Sequence, residues 1–307
     1  MIDNVKMFVS DKQRFEERIE KKGLMELTSK LSMLTGEVME YPKKGSDSNL
    51  QISINLKSAT ILGSLHKYKN LLEENGDQNY DDFNFCHIQE VIRGLIKKYD
   101  IEKGTVLTNL EFGFNIAVSK DPKTIIDSNL LMNNFKPANK NLKFSGSGDY
   151  KEFQLTDYRN KIYNKSKQYR LKDNILRVEL KIIQKRLLQK LGIHYLEDLL
   201  DKEVLKRLFK LFMMKFEGLI IVDDFDPEII PEIACSMLNK YMNSNYWTRI
   251  NTQKSPKQIS KLKLQFASIL SKYQLLETKN EIREKLYFKF QELLDSEDCN
   301  YEYREVA

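Results

Sequence analysis

Apolar and polar residues alternate in several short stretches of the first 190 residues, after which the spacing becomes helical. Leu50, Ile52, Ile54 and Leu56 share one side of a stretch whose other side carries Gln51, Ser53 and Asn55. That two-residue period predicts a half-buried strand. Residues 108–118 repeat it, with Leu110, Phe112, Phe114 and Ile116 opposite Glu111, Gly113 and Asn115. Residues 175–182 do so again, with Leu176, Val178, Leu180 and Ile182 opposite Arg177, Glu179 and Lys181. Weaker alternation predicts strands over residues 1–10 and 161–165. In the latter, Lys161, Tyr163 and Lys165 lie opposite Ile162, and a polar turn at 172–174 leads into the next strand. Residues 63–68 read as a further strand or the approach to one.

Residues 11–34 are compatible with a helix. Ile88, Val91, Ile92, Leu95 and Ile96 give residues 84–99 an amphipathic helical face. Asp121 before Pro122 is an N-cap followed by proline at the first helical position. Residues 41–49, 73–82 and 134–149 read as loops. From Ile183 onward a 3.6-residue period takes over through Leu187, Leu188 and Leu191 and continues to Phe212. Residues 218–233 contain one short strand, and 234–307 are helical, clearest at 258–276 and 279–294, with Trp247 near a boundary. The prediction is an α+β fold: an antiparallel sheet with helices on one face over residues 1–190, followed by a helical region over 191–307.

A chain of 307 residues, 41% hydrophobic and 31% charged, with 16 Phe and 15 Tyr, can bury a sizeable core. The net charge is +6, but residues 151–190 hold twelve Lys or Arg against four Asp or Glu. Such a strip reads either as a solvated face or as a surface for a polyanion. Cys86, Cys235 and Cys299 are far apart, without metal-ligand spacing, which suggests a reduced compartment. No run of about 18 apolar residues is present and no secretion signal opens the chain, so a cytoplasmic location is expected. P-loop, dinucleotide-binding and serine-hydrolase motifs are absent, and no His-x-His pair occurs among His66, His87 and His194. The acidic run Asp223, Asp224 and Asp226 reads as loop capping.

The polar sides of the strands carry the candidate chemistry. Glu111 and Glu179 occupy equivalent polar-face positions and would converge if their strands share a sheet. Two carboxylates suit Mg²⁺ or Mn²⁺. A tyrosine can attack a phosphodiester and conserve its bond energy, given cations to stabilise the developing charge. Tyr163, between Lys161 and Lys165, has that setting, with Tyr158 and Tyr169 as alternatives. Arg177, Lys181, Lys167, Arg170 and Asn115 are the candidate DNA contacts.

KIYNKSKQY followed by NILRVELKI resembles paired segments in the replication initiators of rolling-circle plasmids and filamentous phages. The start MIDNVK and the strand NLEFGFNI resemble the same proteins. The likeness is scattered over residues 1–200 and does not extend to the helical C-terminal third. It implies a metal-dependent nicking and joining endonuclease with Tyr163 as nucleophile, Glu179 and Glu111 as ligands of Mg²⁺ or Mn²⁺, and Lys161, Lys165 and Arg177 holding phosphate. The implied partners are single-stranded or melted origin DNA and a host helicase or polymerase, and a dimer is an open alternative. Two other readings fit the same residues: a non-catalytic single-stranded nucleic-acid-binding protein, and a mobilisation relaxase. The histidine pair used by many nickases is missing.

Overall fold

The computed structural model describes residues 1–101, 104–139 and 149–296. Most of the loop expected at 134–149, and Cys299, lie outside them. The elements run β1 (Ile2–Val9), α1 (Lys12–Lys22), β2 (Lys43–Asp47), β3 (Leu50–Ile54), β4 (Ala59–Ser64), α2 (Leu65–Leu72), α3 (Phe85–Tyr99), β5 (Val106–Ala117) and α4 (Pro122–Thr124). A π-helical turn (Ile125–Asn129) leads to β6 (Leu130–Asn133), β7 (Tyr150–Gln154), β8 (Tyr158–Asn164), α5 (Lys165–Tyr169), β9 (Ile175–Ile182) and α6 (Lys185–Lys190). A 3₁₀ turn (Leu196–Leu200) precedes α7 (Lys202–Glu217), β10 (Leu219–Ile221), α8 (Glu232–Tyr241), α9 (Ser244–Gln253), α10 (Pro256–Lys272) and α11 (Glu277–Asp295).

Eight strands form one sheet in the order β2-β3-β4-β1-β5-β9-β8-β7, and every neighbouring pair is antiparallel. Alternation along each strand sends Val5, Met7, Ile52, Ile61, Leu110, Phe112, Phe114, Val178 and Leu180 into the core. The opposite side of the same strands is mostly polar, with Phe8 and Leu62 as exposed apolar residues. The protein is therefore α+β, with a large antiparallel sheet and a helical C-terminal region.

Two helices beyond residue 190 complete the core of the sheet. Phe114 packs edge-on against Phe212 of α7 and Phe290 of α11, at ring separations of 5.3 and 6.2 Å. Phe209 stacks flat on Phe290 at 4.0 Å. Strands give way to helices near residue 190, but the packing crosses that point without a break. A second, smaller core forms where β10 pairs with β6 and α8, α9 and α10 surround Trp247.

The structure departs from the periodicity reading at identifiable places. Helix α1 stops at Lys22 because Gly23 takes a left-handed conformation (φ 59°) that closes the helix end. Residues 43–47 and 150–154 are edge strands, with too little apolar alternation (KKGSD, YKEFQ) to reveal them. Residues 65–68 begin α2, capped by the Ser64 side chain. Lys165 is the first residue of α5, whose start is capped by Asn164. Trp247 lies inside α9 and is fully buried, rather than at a boundary. Cys235 is a free thiol. Among the described residues no helix is long and apolar enough to cross a membrane.

The aromatic stack fixes an expected outcome. Phe114→Ala should cost about 3–5 kcal/mol, the usual loss for emptying a packed phenylalanine site, read from urea unfolding. A fragment ending at residue 190 would leave Phe112 and Phe114 uncovered and should show no cooperative transition. Cooperative unfolding of that fragment would contradict a core shared across residue 190.

Candidate active site

Strand register assembles the polar side of the sheet. Glu111, Gly113 and Asn115 of β5 stand opposite Lys181, Glu179 and Arg177 of β9. Glu179 and Arg177 in turn face Lys161 and Tyr163 of β8, and Tyr163 faces Tyr150 of β7. Two-residue alternation puts all of these side chains on one face. Gly113 is required where it stands: a Cβ there would lie 2.5 Å from the Val178 carbonyl oxygen and 2.8 Å from the Glu179 Cα. Its hydrogen atom lets Glu179 sit at the centre of the cluster.

Three carboxylates and three cations interlock. Lys161 Nζ lies 2.9 Å from Glu111 Oε1 and 2.8 Å from Glu179 Oε1. Lys181 Nζ lies 2.7 Å from Glu111 Oε1. Arg177 donates from Nε to Glu179 Oε2 at 3.0 Å, from Nη2 to Asp3 Oδ2 at 3.1 Å, and from Nη1 to Asn115 Oδ1 at 3.2 Å. Asp3, which the sequence reading did not single out, enters from β1, where the pairing with β5 shifts register between Ile2 and Val5. It also accepts from Ser64 Oγ and from Asn79 Nδ2. The only signal for it was its place in the MIDNVK start.

The second unanticipated residue is Asn79, in the loop after α2. Its Oδ1 accepts from Lys165 Nζ at 2.6 Å and from Tyr169 Oη at 2.8 Å. The carbonyl oxygens of Asn79 and Tyr80 accept from Asn115 Nδ2. That loop clamps one end of the cluster. Lys165 is fully buried, with its ammonium 5.3 Å from the Tyr163 ring centre and 4.9 Å from that of Tyr169.

Among the three candidate tyrosines, Tyr163 and Tyr169 reach the cluster and Tyr158 does not. Tyr158 lies on the helix side of the sheet, in the core, with Lys215 over its ring. Tyr163 donates to Glu179 Oε2 at 3.4 Å. Arg177, expected to touch DNA or phosphate, is instead buried and held by two carboxylates and an amide, so it serves as an internal anchor. Asn115 is occupied in the same way. Lys167 is exposed and paired with Asp149, and Arg170 is exposed at the end of α5. The basic strip is partly consumed internally by Lys161, Lys165 and Arg177. His66 is buried against Asp81 at 2.7 Å and stacks on Phe83, His87 closes the capping box of α3, and Asp223 accepts from Thr278. All three are structural.

Burial and charge move the ionisation of these groups in opposite senses. Burial alone would push the Glu179 carboxyl up, but Lys161 and Arg177 outweigh it and hold it at about 2. Burial, with the Glu179 charge second, pushes Glu111 up. Burial and then the Glu179 charge carry the Tyr163 phenol well above its ordinary range. Burial and then Arg177 draw Lys165 down to about 7. Burial also opposes the Lys161 ammonium, yet Glu179 and Glu111 more than offset it.

One oxygen each from Asp3, Glu111 and Glu179 lies within 4.8 Å of the others. An all-carboxylate donor set suits a hard cation such as Mg²⁺ or Mn²⁺. Lys161 now bridges Glu111 and Glu179, so an ion held by the trio competes with that ammonium.

No family model and no curated protein matches the chain. Among solved structures it is similar to the rolling circle replication initiator protein from Geobacillus stearothermophilus, at 12% identity and a TM-score of 0.39, over 68% of this chain and 83% of that one.

Two outcomes are expected here. The depressed Glu179 ionisation contributes stability that is full above about pH 4.5 and is lost as pH falls toward about 2. Glu179→Gln should therefore cost about 3–5 kcal/mol near neutrality, because it strands buried cations. Its deficit against wild type should shrink in urea unfolding as pH falls through that window; a deficit independent of pH would reject the assignment. Separately, Lys161→Gln should tighten Mn²⁺ binding about tenfold or more by calorimetry. One unit charge about 4 Å from a divalent cation repels it by at most roughly 8 kcal/mol at an effective dielectric near 20, and solvent screening with the ammonium's freedom to swing away reduces that to the smaller effect expected. Weaker binding in Lys161→Gln would show that ion and ammonium do not compete.

Proposed function

We propose that this protein initiates rolling-circle replication by nicking and rejoining one DNA strand at a plasmid or phage origin through Tyr163. The observation that carries the reading is the Tyr163 phenol directed at Glu179 within a buried cluster of carboxylates and cations, on the segments KIYNK and LRVEL that resemble such initiators.

In the forward step the Tyr163 oxygen bonds to phosphorus and the bond from phosphorus to the 3′ oxygen breaks. The phenol proton passes to Glu179 Oε2 and from there to water, and the departing 3′ oxygen takes a proton from water to become a hydroxyl. The 5′ phosphate stays on the tyrosine, so one phosphodiester replaces another and rejoining is the reverse exchange. A phenol whose ionisation is suppressed by burial and by Glu179 does not attack as a pre-formed anion; its proton leaves as the bond forms. Lys161 and Lys181 are placed to meet charge on the phosphoryl oxygens. Arg177 keeps Glu179 oriented. Asp3, Glu111 and Glu179 would hold Mg²⁺ or Mn²⁺, which supplies further charge neutralisation at the phosphoryl group when bound.

A binding-only reading has its own support, since every carboxylate of the trio is already paired with a cation. Labelled single-stranded origin DNA with Mn²⁺, resolved on a denaturing gel, separates the two. Wild type should give a protease-sensitive covalent adduct and a free 3′ end, and Tyr163→Phe should lose both by about a thousandfold or more. An adduct that survives in Tyr163→Phe moves the nucleophile to Tyr169. Binding without cleavage across tiled oligonucleotides would leave the protein a single-strand binder.

A further inference from the structure

Beyond the ionic cluster, the polar side of the sheet continues across β1, β4, β3 and β2 in two cross-strand rows. Asn109 faces Lys6, Lys6 faces Leu62, Leu62 faces Gln51 and Gln51 faces Ser46. One step further, Phe8 faces Thr60, Thr60 faces Ser53 and Ser53 faces Lys44. Asn109 lies two residues from Glu111, so these rows are on the same face as the cluster. They cover about 19 Å from β5 to β2, at roughly 4.8 Å per strand.

Two large apolar side chains stand out on this otherwise polar surface. Phe8 and Leu62 are each 37% exposed, and the register makes them diagonal neighbours on adjacent strands. Every apolar residue on the other side of β1 and β4 is buried, so packing does not demand them here. Lys6 Nζ stands 5.6 Å from the centre of the Phe8 ring. A groove of about 340 Å³ is lined by Leu62 and Gln51 of this surface together with Asp3 and Glu111 of the cluster, and Lys67 and Asp77 also line it.

We infer that this half of the sheet face seats the unpaired DNA strand on one side of the phosphate at the cluster. Phe8 would supply a stacking platform and Leu62 apolar contact beside it. Gln51 and Asn109 would offer amides to base edges, and Lys6 a cation to the backbone. The inference takes the identity of the strand from the proposed function, but the seat itself requires neither cleavage nor metal. An open antiparallel sheet with an aromatic on its surface suits single strands, because their bases can lie flat on it, whereas paired bases are already stacked on each other.

The test is fluorescence anisotropy of a labelled oligothymidylate, and of a hairpin duplex, with the full chain in EDTA. Phe8→Ala should weaken single-strand binding about tenfold without changing its salt dependence, and Phe8→Tyr should restore it. Lys6→Gln should lower the salt slope by about 0.7, the contribution of one phosphate contact on a single strand. Duplex affinity should not respond to Phe8→Ala. Leu62→Ser, on the same exposed patch, provides a second variant should Phe8→Ala lower the melting temperature. Wild-type affinity in both Phe8→Ala and Leu62→Ser overturns the seat, as does an equal loss for single strand and duplex. Because no divalent ion is present, failure of the nicking reaction leaves this measurement untouched.

Discussion

Three carboxylates and three cations share one patch of sheet, and the fully buried Glu179 stays charged only because Lys161 and Arg177 do. An isolated charge in such a place costs several kcal/mol or neutralises. Glu179 escapes that fate through Lys161 and Arg177, whereas Glu111, nearer the edge of the balance, is pushed toward its neutral form. The balance holds only if five elements keep register: β1 for Asp3, β5 for Glu111, β9 for Arg177 and Glu179, β8 for Lys161, and the loop that carries Asn79. A slip of one residue in any strand would exchange its charged face for its apolar one. The apolar side fixes the register, with Phe112 and Phe114 against α7 and α11 and Val178 and Leu180 in the same core, so the charge cluster inherits its geometry from the core beneath it.

What could be read in the sequence follows from where a single periodic signal suffices. Strands β3, β5 and β9 alternate cleanly, so their faces were assigned, and antiparallel pairing of β5 with β9 makes Glu111 and Glu179 converge. The edge strands β2 and β7 are not legible because neither KKGSD nor YKEFQ carries an apolar row along one side. Asp3 was missed because a register shift in β1 interrupts the alternation that would have placed it. Asn79 could not be placed at all: a loop residue has no period, and its partners lie 76, 86 and 90 positions away in sequence. Helical periodicity over 202–217 and 277–295 likewise shows that a face is apolar without showing what it covers.

The local excess of positive charge illustrates how a sequence total can mislead. Twelve basic residues in a window of forty read as a surface for a polyanion. The fold turns Lys161, Lys165 and Arg177 inward and sets Arg186 against Asp157. The positive charge left at the surface is therefore smaller than the count and differently placed. Part of it lies across the open half of the sheet, at Lys6 and Lys44, well outside the window.

Suppressed phenol ionisation beside a carboxylate held in its charged form looks unsuited to the proposed nucleophile until the order of events is considered. A tyrosine already ionised at neutral pH would react with whatever phosphate diffused in, and would repel Glu179 in the meantime. In the proposed reaction the phenol would stay neutral until a phosphate arrived to share Lys161 and Lys181. Those cations now satisfy Glu111 and Glu179; if Lys161 turned to a phosphate, Glu179 would lose one of the two charges that hold its ionisation down and become a stronger base. The same movement that binds the substrate would thus raise the proton affinity of the group facing Tyr163. The paired, neutral cluster is the resting form that such a coupling requires, and its dependence on Arg177, which stays buried and bound to Glu179, limits how far that rise can go.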